Sequence, residues 1–250
     1  MASYDYESGK KRVDEILNNK LEIIESDTIP SEQKFTFDNG YYSCVTGVFV
    51  DIRNSSTLFA DADRVKVAKI IRSFTSEIIE ILRLLDNNTL DDKIREIGIR
   101  GDCVYAIYTT PNKSDIYEIA NKTFYINTYL KMLNKLLKKK NYPTIAVGIG
   151  MSTAKDLVVK AGRKDVGINN KVWIGSAVTK ASNLSSLGSK GDVSSLVYSS
   201  ISYSNFIDEL VKNNEKAKSW FTKKYDTQND TFYNASIIIK KFDDWIDSNI

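Results

Sequence analysis

The chain has 250 residues, 42% hydrophobic and 27% charged, with 35 basic against 32 acidic side chains and a net charge of +3. That length holds one ordinary domain with extensions or at most two small ones, and the balance excludes disordered and fibrous classes. Histidine is absent, which removes imidazole acid–base catalysis, Ser-His-Asp and Cys-His nucleophile systems and His-ligated zinc, and leaves carboxylates, cations, hydroxyls, amides or oxygen-bound metals to carry any chemistry.

The opening MASYDYESGKKR lacks the apolar core of a signal peptide. Residues 8–25 place Val13, Ile16, Leu17, Leu21 and Ile24 at helical spacing, and 26–40, with Pro30 and Gly40, read as a linker. Residues 41–52 are β-branched and aromatic, predicting a buried strand that ends at Asp51. After a short loop, a long amphipathic helix is expected over 60–85, with Val67, Ile70, Ile71, Phe74, Ile78, Ile81, Leu82 and Leu85 on one face. Residues 94–100 and 103–110 flank Gly101-Asp102 and predict a hairpin with the aspartate at its turn. A second long helix, 114–140, ends in Lys135, Lys138, Lys139 and Lys140, where cations suit the dipole.

Residues 144–153 and 156–164 read as another hairpin, and 172–175 lead into a helix closed by Gly188. Residues 192–250 look like alternating short strands and helices, with a polar surface helix at the end. Cys44 and Cys103 lie in apolar strand-like runs and read as buried thiols, which fits a reducing cytoplasm. No run is long enough to span a bilayer and no basic stripe exists, so neither a membrane nor a nucleic-acid partner is expected.

Hairpins between long helices predict an α+β fold: a mostly antiparallel, ferredoxin-like sheet with helices packed on it. The expected organisation is an N-terminal helix and linker over 1–40, then one catalytic domain over 41–250 with a C-terminal elaboration.

If the strands ending at Asp51 and at Asp102 are neighbours, both carboxylates emerge at one sheet edge. Paired oxygens without histidine suit Mg²⁺ or Mn²⁺. The intervening Arg53-Asn54-Ser55-Ser56-Thr57 precedes a helix, whose N-terminal amides favour an anion. Singly, each has a plainer reading: a strand-end aspartate, helix-capping residues, a Gly-Asp turn.

In combination these segments resemble the class III nucleotidyl cyclases. FVDIRNSSTLF (49–59) is similar to their first metal-binding motif, and GIRGDCVYAIY (98–108) to their second. VGIGMSTAKDLVVKAGRK (147–164) resembles the hairpin that follows, and VWIGSAVTKASNLSSLG (172–188) their W-G-x-x-V-N-x-A-x-R-L segment. Four motifs stand in register across about residues 41–190. Residues 160–178 are most similar to the Pycsar pyrimidine cyclases of bacterial antiphage defence, which make cyclic UMP or cyclic CMP that activates a separate effector.

The resemblance implies attack of a ribose 3′-hydroxyl on the α-phosphate of a nucleoside triphosphate, with pyrophosphate leaving. It implies two Mn²⁺ or Mg²⁺ ions per site, held by Asp51, Asp102 and the Ile52 carbonyl. Phe49, Arg53, Asn54, Ser55 and Ser56 are the nucleotide-binding candidates beside them. It further implies a head-to-tail homodimer with active sites at the interface, each using residues of both chains.

The departures from the family pattern bear on substrate and rate. Purine cyclases of this class commonly carry a lysine and an aspartate where this chain has Gly98 and Val172, which argues against ATP. Arg100, two residues before Asp102, is a candidate donor to uracil carbonyls and tilts the expectation towards UTP over CTP. The ribose-orienting asparagine and transition-state arginine of the family correspond to Thr179 and Asn183, still on one helix face at i, i+4. Asn183 brings no charge, leaving Lys180, Arg163 or Lys164 as candidate substitutes. Two rival expectations remain: a catalytically weak cyclase-fold dimer that senses nucleotide, and an atypical purine cyclase.

Overall fold

The long apolar run before Asp51 becomes the axis of the molecule. In a computed structural model, which describes residues 4–30, 34–58, 60, 63–84, 91–163, 166–228 and 230–250, this run is strand β2 (Asn39–Ile52), preceded by helix α1 (Tyr6–Asn18) and strand β1 (Glu22–Glu25). A single helical turn, α2 (Ser55–Leu58), and the long helix α3 (Arg64–Arg83) follow. Then come the hairpin β3 (Ile94–Arg100) and β4 (Cys103–Thr109), helix α4 (Lys113–Lys139), strands β5 (Val147–Arg163) and β6 (Ile168–Ile174), and helix α5 (Ser176–Leu187). The C-terminal part adds β7 (Leu196–Ser199), α6 (Ser200–Asn213), β8 (Thr222–Asp226), β9 (Asp230–Ala235) and α7 (Lys240–Asn249).

The sheet runs β3-β4-β2-β5-β7-β9-β8, with β1 joined to β2 and β6 to β5. Its first four strands, taken with α3 and α4, have the ferredoxin-like order, so the expected α+β class holds. Alternation along β2 divides the molecule into two layers. Val48, Val50 and Ile52 face the main core with Ile70, Phe74 and Ile78 of α3 and Ile119, Phe124 and Ile126 of α4. Val45 faces the opposite side, in a smaller cluster with Ala177 of α5.

α5 lies unusually close to the sheet because Gly47, Gly148 and Gly150 leave room for it. A Cβ at Gly148 would overlap the Ser185 carbonyl, and one at Gly150 the Ala181 carbonyl and the Ser185 amide. The backbone therefore approaches where only glycine permits.

Five readings of the sequence are corrected. Residues 8–25 are not one helix: α1 ends at Asn18, and Glu22–Glu25 pairs in parallel with β2. An adjacent strand edge outcompetes helical periodicity there, and Val13, Ile16 and Leu17 remain exposed. The adjoining linker is anchored by Ile29 and Phe35, both buried. Residues 144–164 are not a hairpin but the single strand β5, because Thr153 and Ala154 keep pairing with Thr46 and Val45; the hairpin forms between β5 and β6, turning at Gly167 (φ +75°).

The helix expected from residue 60 begins at Arg64, where the Asp63 carboxylate caps the Val65 and Lys66 amides; Leu85 lies outside the described residues. Finally, Gly188 closes α5 without a left-handed turn (φ −56°). It is glycine because a Cβ would sit 2.7 Å from the Gly148 Cα. The last helix is less of a surface feature than expected: Ile246 is buried, and Lys131 and Lys135 of α4 pair with Asp243 and Asp247.

Candidate active site

Asp51 and Asp102 meet as the strand order requires. Asp51 stands opposite Cys103 in the β2–β4 ladder, one residue from Asp102. Asp102 sits in the β3–β4 turn, made possible by Gly101 at φ +62°. The Asp51 side chain is 30% exposed. Burial pushes its carboxyl above the ordinary value; Arg53 pulls it back, the Asp102 charge raises it further, and Lys190 lowers it. Burial and the neighbouring Asp102 charge both disfavour the ionised Asp51 carboxyl, a cost that a bound cation would offset.

The donor set fits a hard divalent cation: two carboxylates beside the main chain of Ile52, whose side chain is 3% exposed. Among the described residues no cluster of three or more acidic, cysteine or histidine side chains could hold a metal. An ion bound by two carboxylates completes its shell from water and phosphate oxygens, as Mg²⁺ habitually does.

The loop beyond Asp51 turns sharply. Arg53 N donates to the Ala146 carbonyl at 2.8 Å, and Asn54 takes φ +52°, a left-handed position that asparagine tolerates better than most residues. Ser55 and Ser56 start the single turn α2, separate from the long helix. The Arg53 side chain is buried: it pairs with the Asp51 carboxylate, donates from Nε and Nη2 to the Asp51 carbonyl at 3.3 and 3.1 Å, and from Nη1 to the Ser186 carbonyl at 2.9 Å. Its donors are thus engaged with protein oxygens.

Phe49 lies next along the same face, stacked on Tyr105 with ring centres 5.2 Å apart and an interplanar angle of 12°. Gly98 stands opposite Tyr105, and a Cβ there would overlap the tyrosine ring. Tyr105 Oη donates to Glu96 Oε1 at 2.6 Å, and Trp173 Nε1 donates to Glu96 Oε2 at 2.7 Å, drawing β6 over towards β3. Burial and the Glu96 carboxylate push the Tyr105 hydroxyl to about 12. Arg100 is exposed at the end of β3.

Thr179 and Asn183 are exposed along α5, and no hydrogen bond or ion pair recorded among the described residues joins them to Asp51 or Asp102. Of the candidate cations, Lys180 lies 3.5 Å from Asp230, Arg163 is at the opposite end of β5 from Gly148, and Lys164 lies outside the described residues.

Reasoning from sequence missed Glu96, Tyr105 and Trp173, whose only signal was the aromatic pairing across the hairpin. It also missed Asp156, a buried acid inside an apolar strand, and Lys190. The Lys190 loop is tied to the site: Ser189 Oγ donates to the Val147 carbonyl at 2.7 Å, and Val147 pairs with Ile52.

Comparison with known proteins matches residues 37–233 to the family described as the adenylate and guanylate cyclase catalytic domain. A protein named uridylate cyclase from Treponema porcinum is 50% identical over 247 residues, 99% of this chain and 82% of its own length. Another uridylate cyclase, from Gulbenkiania mobilis, is 32% identical over 195 residues, 75% of this chain and 73% of its own length. Among solved structures, the adenylyl cyclase CyaB from P. aeruginosa superposes with a TM-score of 0.60 at 17% identity, over 78% of this chain and 95% of that one.

Proposed function

The chain belongs to the adenylate and guanylate cyclase catalytic domain family, and on that premise we propose that it converts UTP into 3′,5′-cyclic UMP and pyrophosphate. The observation that carries this reading is the 50% identity, over nearly the whole chain, to a uridylate cyclase. Gly98 and Val172 support it, since the side chains with which purine cyclases of this class commonly read adenine have no counterpart at those positions.

Asp51, Asp102 and the Ile52 carbonyl would hold the divalent ions, Mn²⁺ or Mg²⁺ and two per site, which when bound supply charge neutralisation and lower the pKa of the ribose 3′-hydroxyl. The chain's own contribution is positioning. Asn54, Ser55 and Ser56, in the loop beyond Asp51, meet the triphosphate. Phe49, backed by Tyr105, forms the wall beside the base, and Arg100 donates to uracil carbonyl oxygens. With its hydroxyl held protonated against Glu96, Tyr105 keeps its ring fixed. Thr179 and Asn183, exposed on α5, face the site of a second copy in a head-to-tail homodimer, where Thr179 orients the ribose. Lys190, in the loop beside this edge, is a cation available to the triphosphate. The product serves as a messenger in antiphage defence, acting on a separate effector.

A second reading, a nucleotide-sensing dimer of low activity, is favoured by one observation: Asn183 is uncharged and the neighbouring Lys180 is engaged with Asp230. Incubation with each of the four ribonucleoside triphosphates and Mn²⁺, followed by mass spectrometry, separates the two. Cyclic UMP that disappears in Asp51→Ala and Asp102→Ala is the expected result. Nucleotide binding without any cyclic product would favour the sensor.

A further inference from the structure

α5 is gripped at both ends by charged side chains that belong to other elements, and each charge matches the helix dipole. The residue before α5, Gly175, has no side chain to cap it. Asp156, fully buried in the middle of β5, takes that role. Both of its carboxylate oxygens accept from the Ala177 amide at 3.1 Å, and Oδ2 also accepts from Val178 at 3.2 Å. Residue 175 is glycine because a Cβ there would overlap this carboxyl.

At the other end, the Arg53 guanidinium donates to the Ser186 carbonyl in the last turn while pairing with Asp51. An anion at the N-terminus and a cation at the C-terminus are each favourable. A neutral serine or asparagine cap would satisfy the same amides without burying a charge. A carboxylate built into a strand does something a local cap does not: it fixes the helix against the sheet.

We propose that Asp156 and Arg53 are positioning residues for the cyclisation, fixing the rise and rotation of α5 relative to the sheet edge that carries Asp51 and Asp102. Thr179 and Asn183 are set by this clamp, and Arg53 is its shared element, since one guanidinium holds both a metal-binding carboxylate and the helix. The inference rests on the cyclase reading above and on Thr179 and Asn183 facing substrate.

The test compares wild type, Asp156→Asn, Arg53→Met and Arg53→Lys with UTP and Mn²⁺, counting kcat per folded protomer from thermal melts followed by circular dichroism. Asp156→Asn is expected to lower kcat about 10–100-fold, the scale on which supporting partners act at metal sites. Its UTP KM and Mn²⁺ activation midpoint should stay within about threefold, since no group that touches substrate is removed. Arg53→Met should lower kcat comparably and also move the Mn²⁺ midpoint, because it alone touches Asp51. Arg53→Lys should recover part of the loss.

A wild type that makes no cyclic UMP would remove the activity reading itself. An active wild type beside variants with unchanged kcat, or with losses fully explained by unfolded protein, would overturn the clamp. Should Asp156→Asn fail to fold, the Arg53 pair decides on the same criteria.

Discussion

Asp51 carries opposing demands. It is partly buried, close to Asp102 and paired with Arg53, and the net result is a carboxyl raised above its ordinary value by burial. A proton and a divalent ion compete for such a group, so the sign follows directly: as pH falls towards the raised value, protonation displaces the metal. On the proposed assignment of Asp51 as a metal ligand, Mn²⁺ affinity measured by calorimetry should therefore fall on acidification while the protein is still folded; an affinity independent of pH would count against it. Cys103, directly across from Asp51, is raised to about 12 by burial and by the Asp51 charge. Little of it is thiolate at pH 8, so slow alkylation is expected. Iodoacetamide should leave Cys103 unlabelled in the native protein and label it in urea, as mass spectrometry of the peptides would reveal; rapid native labelling would contradict the burial.

At the scale of elements, the contact between α5 and the sheet is the sharpest geometric requirement. Gly150 allows the Ala181 carbonyl and the Ser185 amide to lie directly over β5. Gly150→Ala should cost about 1–3 kcal/mol by overpacking, read as a lowered urea midpoint with an unchanged slope; a neutral effect would mean that the helix moves away easily. The glycine pattern in VGIGMST was visible in the sequence, but its meaning was not, because the partner helix lies about thirty residues later in the chain. Sequence separation likewise hid the role of Asp156, whose partners Ala177 and Val178 lie 21 and 22 residues on, and which stands at the start of the second strand of an expected hairpin until β5 is seen to continue through it. Local pattern gave the β3–β4 hairpin and α4 nearly to the residue, since a Gly-Asp turn and an uninterrupted helical period are decided by neighbours in sequence.

For the whole molecule, the exposed apolar residues of the β5–β6 arm are informative. Ile168 is 71% exposed and Ile174 52%, on strand β6, which among the described residues pairs with β5 alone. Side chains of this kind are expected to be covered in a homodimer with interfacial sites. Ile168→Asp should shift sedimentation from dimer to monomer and abolish cyclisation while the far-ultraviolet dichroism stays unchanged. A variant that remains a dimer with full activity would exclude this arm from the interface.

What the sequence determined by itself is the chemistry available and the order of the main elements from β2 to α4. The absence of histidine, the strand ending at Asp51 and the Gly-Asp turn follow from composition and nearest-neighbour geometry, which tertiary contacts do not alter. What only the tertiary structure decided is where long-range partners land. The parallel pairing of β1, the continuity of β5, the burial of Arg53 between Asp51 and α5, and the Glu96–Tyr105–Trp173 cluster all join residues far apart in the chain. Their energies come from packing and hydrogen bonds that close only once the sheet is assembled, so no local pattern could contain them.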